Sequence, residues 1–436
     1  MRFGSIRRSK RKGSSLRSGM KAAVYQGALT VIIFQLLGGP FVTGYLLYMG
    51  ASSIQIGIVL AIPSMANMTQ IIGALLIQRL TNRKLMFSLL CGFHRFLWVF
   101  TGALPFIVPK QYGVTFYILV CAVAFFSQAI GSVWWTSLFA DIVPAKLRGR
   151  YTGFRNTILW LGGCIAILVF GQVLDRFPEP TGFYILYATA AVCAVLDVLT
   201  YFMYPNIPFQ KSGQINTAAM LQVPFRNKVF LYPMLFIALW LFLQSVSVPF
   251  FNYVMMDVMK LGYNWISVIT MVYNVAMMLA YTMWGNFNAR ISTKTLLFWT
   301  MPVTACACIS WGLLAVFPAI PVLLLIHILA GVGVGGFNQL IFNFVVGDTP
   351  KGDRPMYIAV FYGLTGLAGF LGPLFGGAVY NYIVDMAKWL QLYGVSLGVG
   401  VLLLAVAAIG SKVMLSSPVG RRRSAETSYV RTNNTE

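Results

Sequence analysis

The sequence predicts an all-α membrane protein of twelve transmembrane helices arranged as two pseudo-repeated six-helix bundles. Three observations carry this: a composition too apolar for a hydrated surface, twelve long apolar runs separated by charges and turn residues, and polar features that recur at a nearly constant offset. Of 436 residues, 58% are hydrophobic and 10% charged, whereas a soluble domain carries about a quarter charged residues. The mean hydropathy of +0.76 agrees. These values exclude a soluble enzyme, a disordered chain, a collagen and a disulfide-stapled secreted module.

The apolar runs fall near 22–49, 54–77, 85–108, 112–140, 151–174, 181–205, 229–255, 262–288, 295–317, 320–347, 355–384 and 389–411. Each is about the 20 residues or more that a helix needs to cross the hydrocarbon. Their continuity is unlike the polar–apolar alternation of a membrane barrel. The longest polar connection divides them six and six. The expected organisation is therefore a basic N-tail (1–21), a first bundle (22–205), a linker (206–228), a second bundle (229–414) and a C-tail (415–436).

Orientation follows from charge. Of the 32 Lys and Arg residues, 27 lie in the tails or beside the loops that follow even-numbered spans. The opposite loops hold Lys110, Arg176, Lys260 and Lys388, and Arg95 lies inside span 3. By the positive-inside rule both termini face the cytoplasm of a multi-pass cell-membrane protein. The formal net charge of +22 is thus spent on topology and on the lipid bilayer, and no nucleic-acid partner is expected. All six cysteines fall within spans and none has zinc-type CxxC spacing, so no metal or cofactor is expected.

Four features repeat. Gln35 before Pro40-Phe41 in span 1 matches Gln244 before Pro249-Phe250 in span 7, 209 residues on. Arg79 in the loop after span 2 matches Arg290 after span 8, 211 residues on. Asp141 at the end of span 4, followed by Pro144 and Arg148, matches Asp348 with Pro350 and Arg354, 207 residues on. Span 4 carries Gln128, Ser132 and Thr136 at i, i+4, i+8, and span 10 carries Gly335, Gln339 and Asn343 at the same spacing. A stripe with that period occupies one helical face.

In this layout, and in the loop patterns Arg79-x-x-x-Arg83-Lys84 and Asp141-x-x-Pro144-x-x-x-Arg148-Gly149-Arg150, the chain resembles the major facilitator superfamily of secondary transporters over about residues 22–414. The family's first pattern has an acid where this chain has Gln78 and a glycine where it has Ala74. The resemblance implies two bundles rocking about a central site near the bilayer midplane. It also implies one cytoplasmic gate cluster per half, Arg79–Asp141–Arg148 and Arg290–Asp348–Arg354, and a cavity lined by spans 1, 4, 7 and 10.

On those spans Gln35, Gln128, Ser132, Thr136, Gln244, Gln339 and Asn343, with Trp135, Tyr253 and Asn338, are the candidate substrate-binding residues. Amides are costly in hydrocarbon unless bonded, so their recurrence at comparable depth suits a wet cavity, although polar contacts between helices would also satisfy them. Span 11 carries a glycine series from Gly363 to Gly377 that reads as a packing strip.

Two charges sit deep in the membrane. Arg95 and Asp197 are each roughly 12–15 Å from the same end of their spans at the rise of an α-helix. A lone charge there costs about 3 kcal/mol or more, and the resemblance implies that spans 3 and 6 are neighbours, so an Arg95–Asp197 ion pair is expected. His327 in span 10 is the candidate proton site. The leading function is alternating-access transport of a small, neutral or weakly charged organic solute by a monomer, with proton coupling open. The alternatives are a substrate sensor on the same scaffold and a membrane-embedded transferase. No catalytic or metal cluster is visible, and no enzymatic activity is expected.

Overall fold

Glycine and proline decide where the apolar runs bend. The computed structural model describes residues 2–70, 72–73, 76, 82–143, 148–177, 179–207, 225–288, 290–347 and 354–415, with backbone alone at 2–15, 140, 148–150, 152–153, 229, 342–347, 354–359 and 411–415. Helix α1 (Arg2–Leu36) runs through the basic segment into the first span and stops at Gly38-Gly39-Pro40. Gly39 has φ +51, and Pro40 starts α2 (Gly39–Tyr48) at a position that needs no N–H partner. The first span is therefore a broken helix. Its counterpart, α8 (Lys228–Ser247), ends in the same way: Val248-Pro249-Phe250 forms a tighter 3₁₀ turn, followed by Phe251–Tyr253 and a wider π turn at Val254–Val258.

The link from α2 to α3 (Ser53–Asn67) is short and heavily capped. Gly50, at φ +82, ends α2, with Gly50 N–H donating to the Leu47 carbonyl and Ala51 N–H to the Leu46 carbonyl, 2.9 Å each. Ser52 and Gln55 then open α3 with a reciprocal capping box. The remaining long helices are α4 (Arg83–Phe100), α5 (Lys110–Ile142), α6 (Arg148–Arg176), α7 (Thr181–Thr200), α9 (Tyr263–Asn288), α10 (Thr293–Ile309), α11 (Ala319–Gly347), α12 (Arg354–Tyr382) and α13 (Val395–Leu415). Among the described residues, eleven helical stretches are long and apolar enough to cross a membrane, and α3 is a shorter apolar helix in the remaining expected span, 54–77. No strand occurs among them.

The chain packs as two compact units. Unit 1 comprises Met1–Gln214, Pro249–Met271 and Pro373–Tyr382; unit 2 comprises Ile215–Val248, Val272–Gly372 and Ile383–Glu436. In unit 1, small residues bring helices close. Gly131 of α5 leaves so little room that an added Cβ would come 2.9 Å from Cys91 Sγ on α4. One end of the unit is cored by Phe87, Trp134, Leu138, Tyr201 and Tyr204. The other holds Tyr45, Phe183 and Tyr187, with the Tyr45–Phe183 rings 5.2 Å apart. Phe250 and Tyr380, from the later segments of the unit, stack at 5.0 Å.

Unit 2 is built on α11. Gly331 and Gly335 press on α9 at Tyr273 and Met277, while Gly333 presses on α10 at Thr304. Glycines on two faces let one helix seat against two neighbours, the usual means of association where lipid removes the hydrophobic driving force. Gly372 of the span 11 series packs on Ser245 and Phe242 in this unit, and Gly377 packs on Ser53 and Ile54 in unit 1.

Replacing Gly50 by Ala should cost about 1–2 kcal/mol, because φ is positive there. Thermal unfolding in detergent should show a lower Tm for Gly50→Ala. Gly398→Ala, where nothing lies within 4 Å of the added methyl, should leave Tm unchanged or raise it slightly.

Candidate functional site

At the centre of unit 1 a buried charge pair collects polar groups from four helices. Arg95 on α4 is 2% exposed and Asp197 on α7 is fully buried, with Arg95 Nε 3.1 Å from Asp197 Oδ2. The same oxygen accepts from the Tyr201 hydroxyl at 2.7 Å, and Oδ1 accepts from the Thr30 hydroxyl at 3.0 Å. Thr30 in turn accepts from Gln26 Nε2 (2.8 Å) and Arg95 Nη2 (3.0 Å). Arg95 Nη1 donates to Gln128 Oε1 on α5 at 2.8 Å and meets His94 Nδ1 at 2.7 Å.

Local sequence explains the convergence. Gln26, Thr30 and Phe34 follow one face of α1 at i, i+4, i+8, and Asp197 and Tyr201 follow one face of α7 at i, i+4. Guanidinium has no acceptor and stays charged, so His94 Nδ1 must offer its lone pair and the ring carries its proton on Nε2. That Nε2 is buried without a hydrogen-bond partner among the described residues. Phe34, Trp98 and Phe125 surround the ring, 5.1–6.1 Å between centroids. Phe34 also lies 5.6 Å from the Arg95 guanidinium, a cation–π distance. The arrangement fastens α1, α4, α5 and α7 together.

A second ion pair sits at the end of unit 1 where α4 begins. Asn82 caps α4 by accepting from Leu85 N–H, which turns Arg83 inward. Arg83 is 1% exposed, and its Nη2 meets Asp141 Oδ2 at 2.6 Å and the Ile207 carbonyl at 3.1 Å, while Nη1 donates to Ser137 Oγ at 2.8 Å. Among the described residues the partner of Asp141 is Arg83, a residue the expected gate cluster did not include. Arg79 and Asp348 lie outside the described residues, as do the side chains of Arg148 and Arg354, and Arg290 is exposed.

The candidate substrate residues divide between engaged and open groups. In unit 1, Gln35 is half-buried against Gly163 of α6. Gln128 is held by Arg95. Ser132 and Thr136 bond back to their own helix, at the Ala129 and Ser132 carbonyls. Trp135 Nε1 donates to Tyr204, and the Arg155 guanidinium lies 5.4 Å from its ring. Tyr253 is buried against Phe250 and Tyr380. In unit 2, Gln244 is buried and accepts from Trp240 Nε1 at 3.1 Å. Gln339 is half-buried beside Gly285, Asn338 is exposed, and the side chain of Asn343 lies outside the described residues. His327 is buried with Nδ1 2.8 Å from the Leu323 carbonyl and its ring edge-on to Tyr273. His327 and Asn338 share an azimuth but not surroundings, because eleven residues set them about 16 Å apart along the helix.

Gln26, Thr30, His94 and Tyr201 of the central network, and Arg155 beside Trp135, are absent from the residues expected to matter. Their helical spacing was readable. Which faces of α1 and α7 meet was not.

A family model for the major facilitator superfamily matches residues 24–373, with a second match at 266–428. Comparison with curated protein sequences gives no match. Among solved structures, the nucleoside transporter NupG superposes with a TM-score of 0.69 at 15% identity, covering 92% of this chain and 99% of that one. The xylose transporter XylE from E. coli, inward open, gives 0.64 at 15% identity, covering 92% and 95%. A bacterial homolog of the human lysosomal transporter Spinster, inward-facing and unoccupied, gives 0.64 at 16% identity, covering 93% and 99%. The fold is that of multi-pass secondary transporters working by alternating access. This chain belongs to the major facilitator superfamily.

Removing one partner of the buried pair leaves an uncompensated charge. Arg95→Ala and Asp197→Ala should each cost about 3–5 kcal/mol. The double variant Arg95→Met/Asp197→Leu should recover most of that loss, read as Tm of the purified protein in detergent. Tyr201→Phe should cost about 1 kcal/mol.

Proposed function

We propose that this protein is a secondary active transporter that carries a small, neutral or weakly charged organic solute by alternating access. The observation that carries the reading is the make-up of unit 1 on the face bearing the loops after odd-numbered spans, where helix ends from both sequence repeats interlock. Ser53 Oγ on α3 donates to the Gly377 carbonyl on α12 at 3.2 Å. An added Cβ on Gly57 would come 2.5 Å from the Pro373 carbonyl. Gly171 on α6 abuts Ser267 on α9. Asp175 on α6 accepts from the first two N–H groups of α9, Tyr263 (2.6 Å) and Asn264 (2.8 Å).

These contacts suit a face that closes and opens again. Small residues touch backbone to backbone, and an exposed carboxylate satisfies the positive end of a helix that it can release to water. Lys and Arg asymmetry supports placing both termini on the cytoplasmic side of the cell membrane, which makes the interlocked face the outer one. On that placement these contacts hold the outer face of unit 1 together.

A neutral solute fits the polar inventory. Gln35, Gln244 and Gln339 supply amides, whereas Arg95 and Asp197 neutralise each other within unit 1. Fold relatives named for a nucleoside and for xylose support testing polar, uncharged solutes first.

The deciding experiment is uptake of labelled nucleosides and pentoses into proteoliposomes, with and without an imposed proton gradient. Flux above empty liposomes, reduced roughly tenfold by Gln35→Ala or Gln339→Ala at unchanged Tm, is the expected result, a loss of about 1.4 kcal/mol. Binding without flux would make the chain a sensor, and neither binding nor flux across a broad solute panel would end the proposal. Asp175→Ala removes the acceptor for two helix-terminal N–H groups, worth about 1–2 kcal/mol. It should expose the outer face to impermeant thiol reagents at a cysteine placed at Ser53.

A further inference from the structure

A cleft of about 270 Å³ opens between the start of α4 and the end of α7, at the level where both spans leave the membrane. We propose that it holds the headgroup of an anionic phospholipid. Asn82, Lys84, Ser88 and Asn206 supply its polar lining, and no carboxylate lines it. Among the described residues the Lys84 ammonium has one acceptor, the Phe202 carbonyl at 3.1 Å. An ammonium carries three donors, so two remain for a ligand. Arg83, next in sequence, is turned away to Asp141 and does not compete for the cleft.

The surface that continues from the cleft is hydrocarbon. Leu85, Leu89 and Phe93 run down α4, and Leu196 and Leu199 lie on α7 with Phe202 in the 3₁₀ turn that follows it, all exposed, with Phe202 the most so at 78%. A free anion would use only the polar mouth. A diacyl phosphate ester would use both, its phosphate at Lys84 and its chains along the two apolar rows, which selects a membrane lipid as the occupant. Most of the basic residues of the chain lie at this end of the spans, and anionic headgroups collect at such polybasic surfaces.

Tyr201 gives the cleft its inner wall and donates to Asp197. Occupancy is therefore one hydrogen bond from the central ion pair, and a bound lipid should stiffen unit 1 as well as coat it.

The test uses full-length protein delipidated in detergent and titrated with dioleoyl phosphatidylglycerol or dioleoyl phosphatidylcholine, read by native mass spectrometry and by Tm. Phosphatidylglycerol should be retained and should raise Tm above the phosphatidylcholine value. Lys84→Gln should weaken that retention roughly fivefold, and Lys84→Gln/Ser88→Leu should abolish the difference between the lipids. Lys110→Gln, at the opposite end of the membrane, should leave it intact. Should the double variant fail to fold, Lys84→Met alone carries the comparison. Equal phosphatidylglycerol binding by wild type and the Lys84 variant would overturn the proposal. So would inorganic phosphate alone reproducing the full Tm shift, which would make the cleft a free-anion site.

Discussion

Burying a guanidinium and a carboxylate in a membrane-embedded unit is affordable only if each satisfies the other and their remaining valences are filled. Unit 1 is organised around meeting that condition. Arg95 spends its donors on Asp197, Thr30, Gln128 and His94, and Asp197 fills both oxygens with Arg95, Tyr201 and Thr30. Four helices are tied by one charge pair, and none can rotate without stranding a polar group in low dielectric. The pair thereby fixes the azimuth of α1 and α5, the two helices of this unit that carry candidate solute-facing amides.

Around that fixed centre, the long spans break where backbone geometry permits it. The first span breaks at Gly38-Gly39-Pro40, and its repeat counterpart loosens into 3₁₀ and π turns after Pro249. Both breaks lie toward the face where α3 meets α12 and α6 meets α9 through glycine, serine and a helix-capping aspartate. Under the proposed function, rocking would keep the polar knot and release the small-residue contacts. The lipid cleft adds a third element, since Tyr201 belongs both to its wall and to the knot.

Much of the fold was legible because membranes impose strong rules on composition. Span positions, the repeat offset and the resemblance to the superfamily follow from apolar run length and from paired landmarks such as Pro40 with Pro249. The Arg95–Asp197 pairing was legible from common depth together with the adjacency of spans 3 and 6 that the family resemblance implies, because two isolated charges at one level have few other remedies. The Arg83–Asp141 pair was less so: the loop motif contained both Arg79 and Arg83, and the cap at Asn82 that turns Arg83 inward is a matter of local fold. Gln128 was read as a solute ligand, yet in the fold its carbonyl serves Arg95, and Tyr253 belongs to an aromatic cluster.

By itself, then, the sequence determined the element list, the two-fold repetition, the orientation expected from charge and the need for a partner at each buried ion, since all of these depend on residue type and spacing along one chain. Tertiary structure alone decided which polar side chains spend their hydrogen bonds on one another. It also decided that helix ends from both repeats share unit 1. These choices depend on which helical faces meet, and an amide looks the same in the sequence whether it faces water, a solute or Arg95.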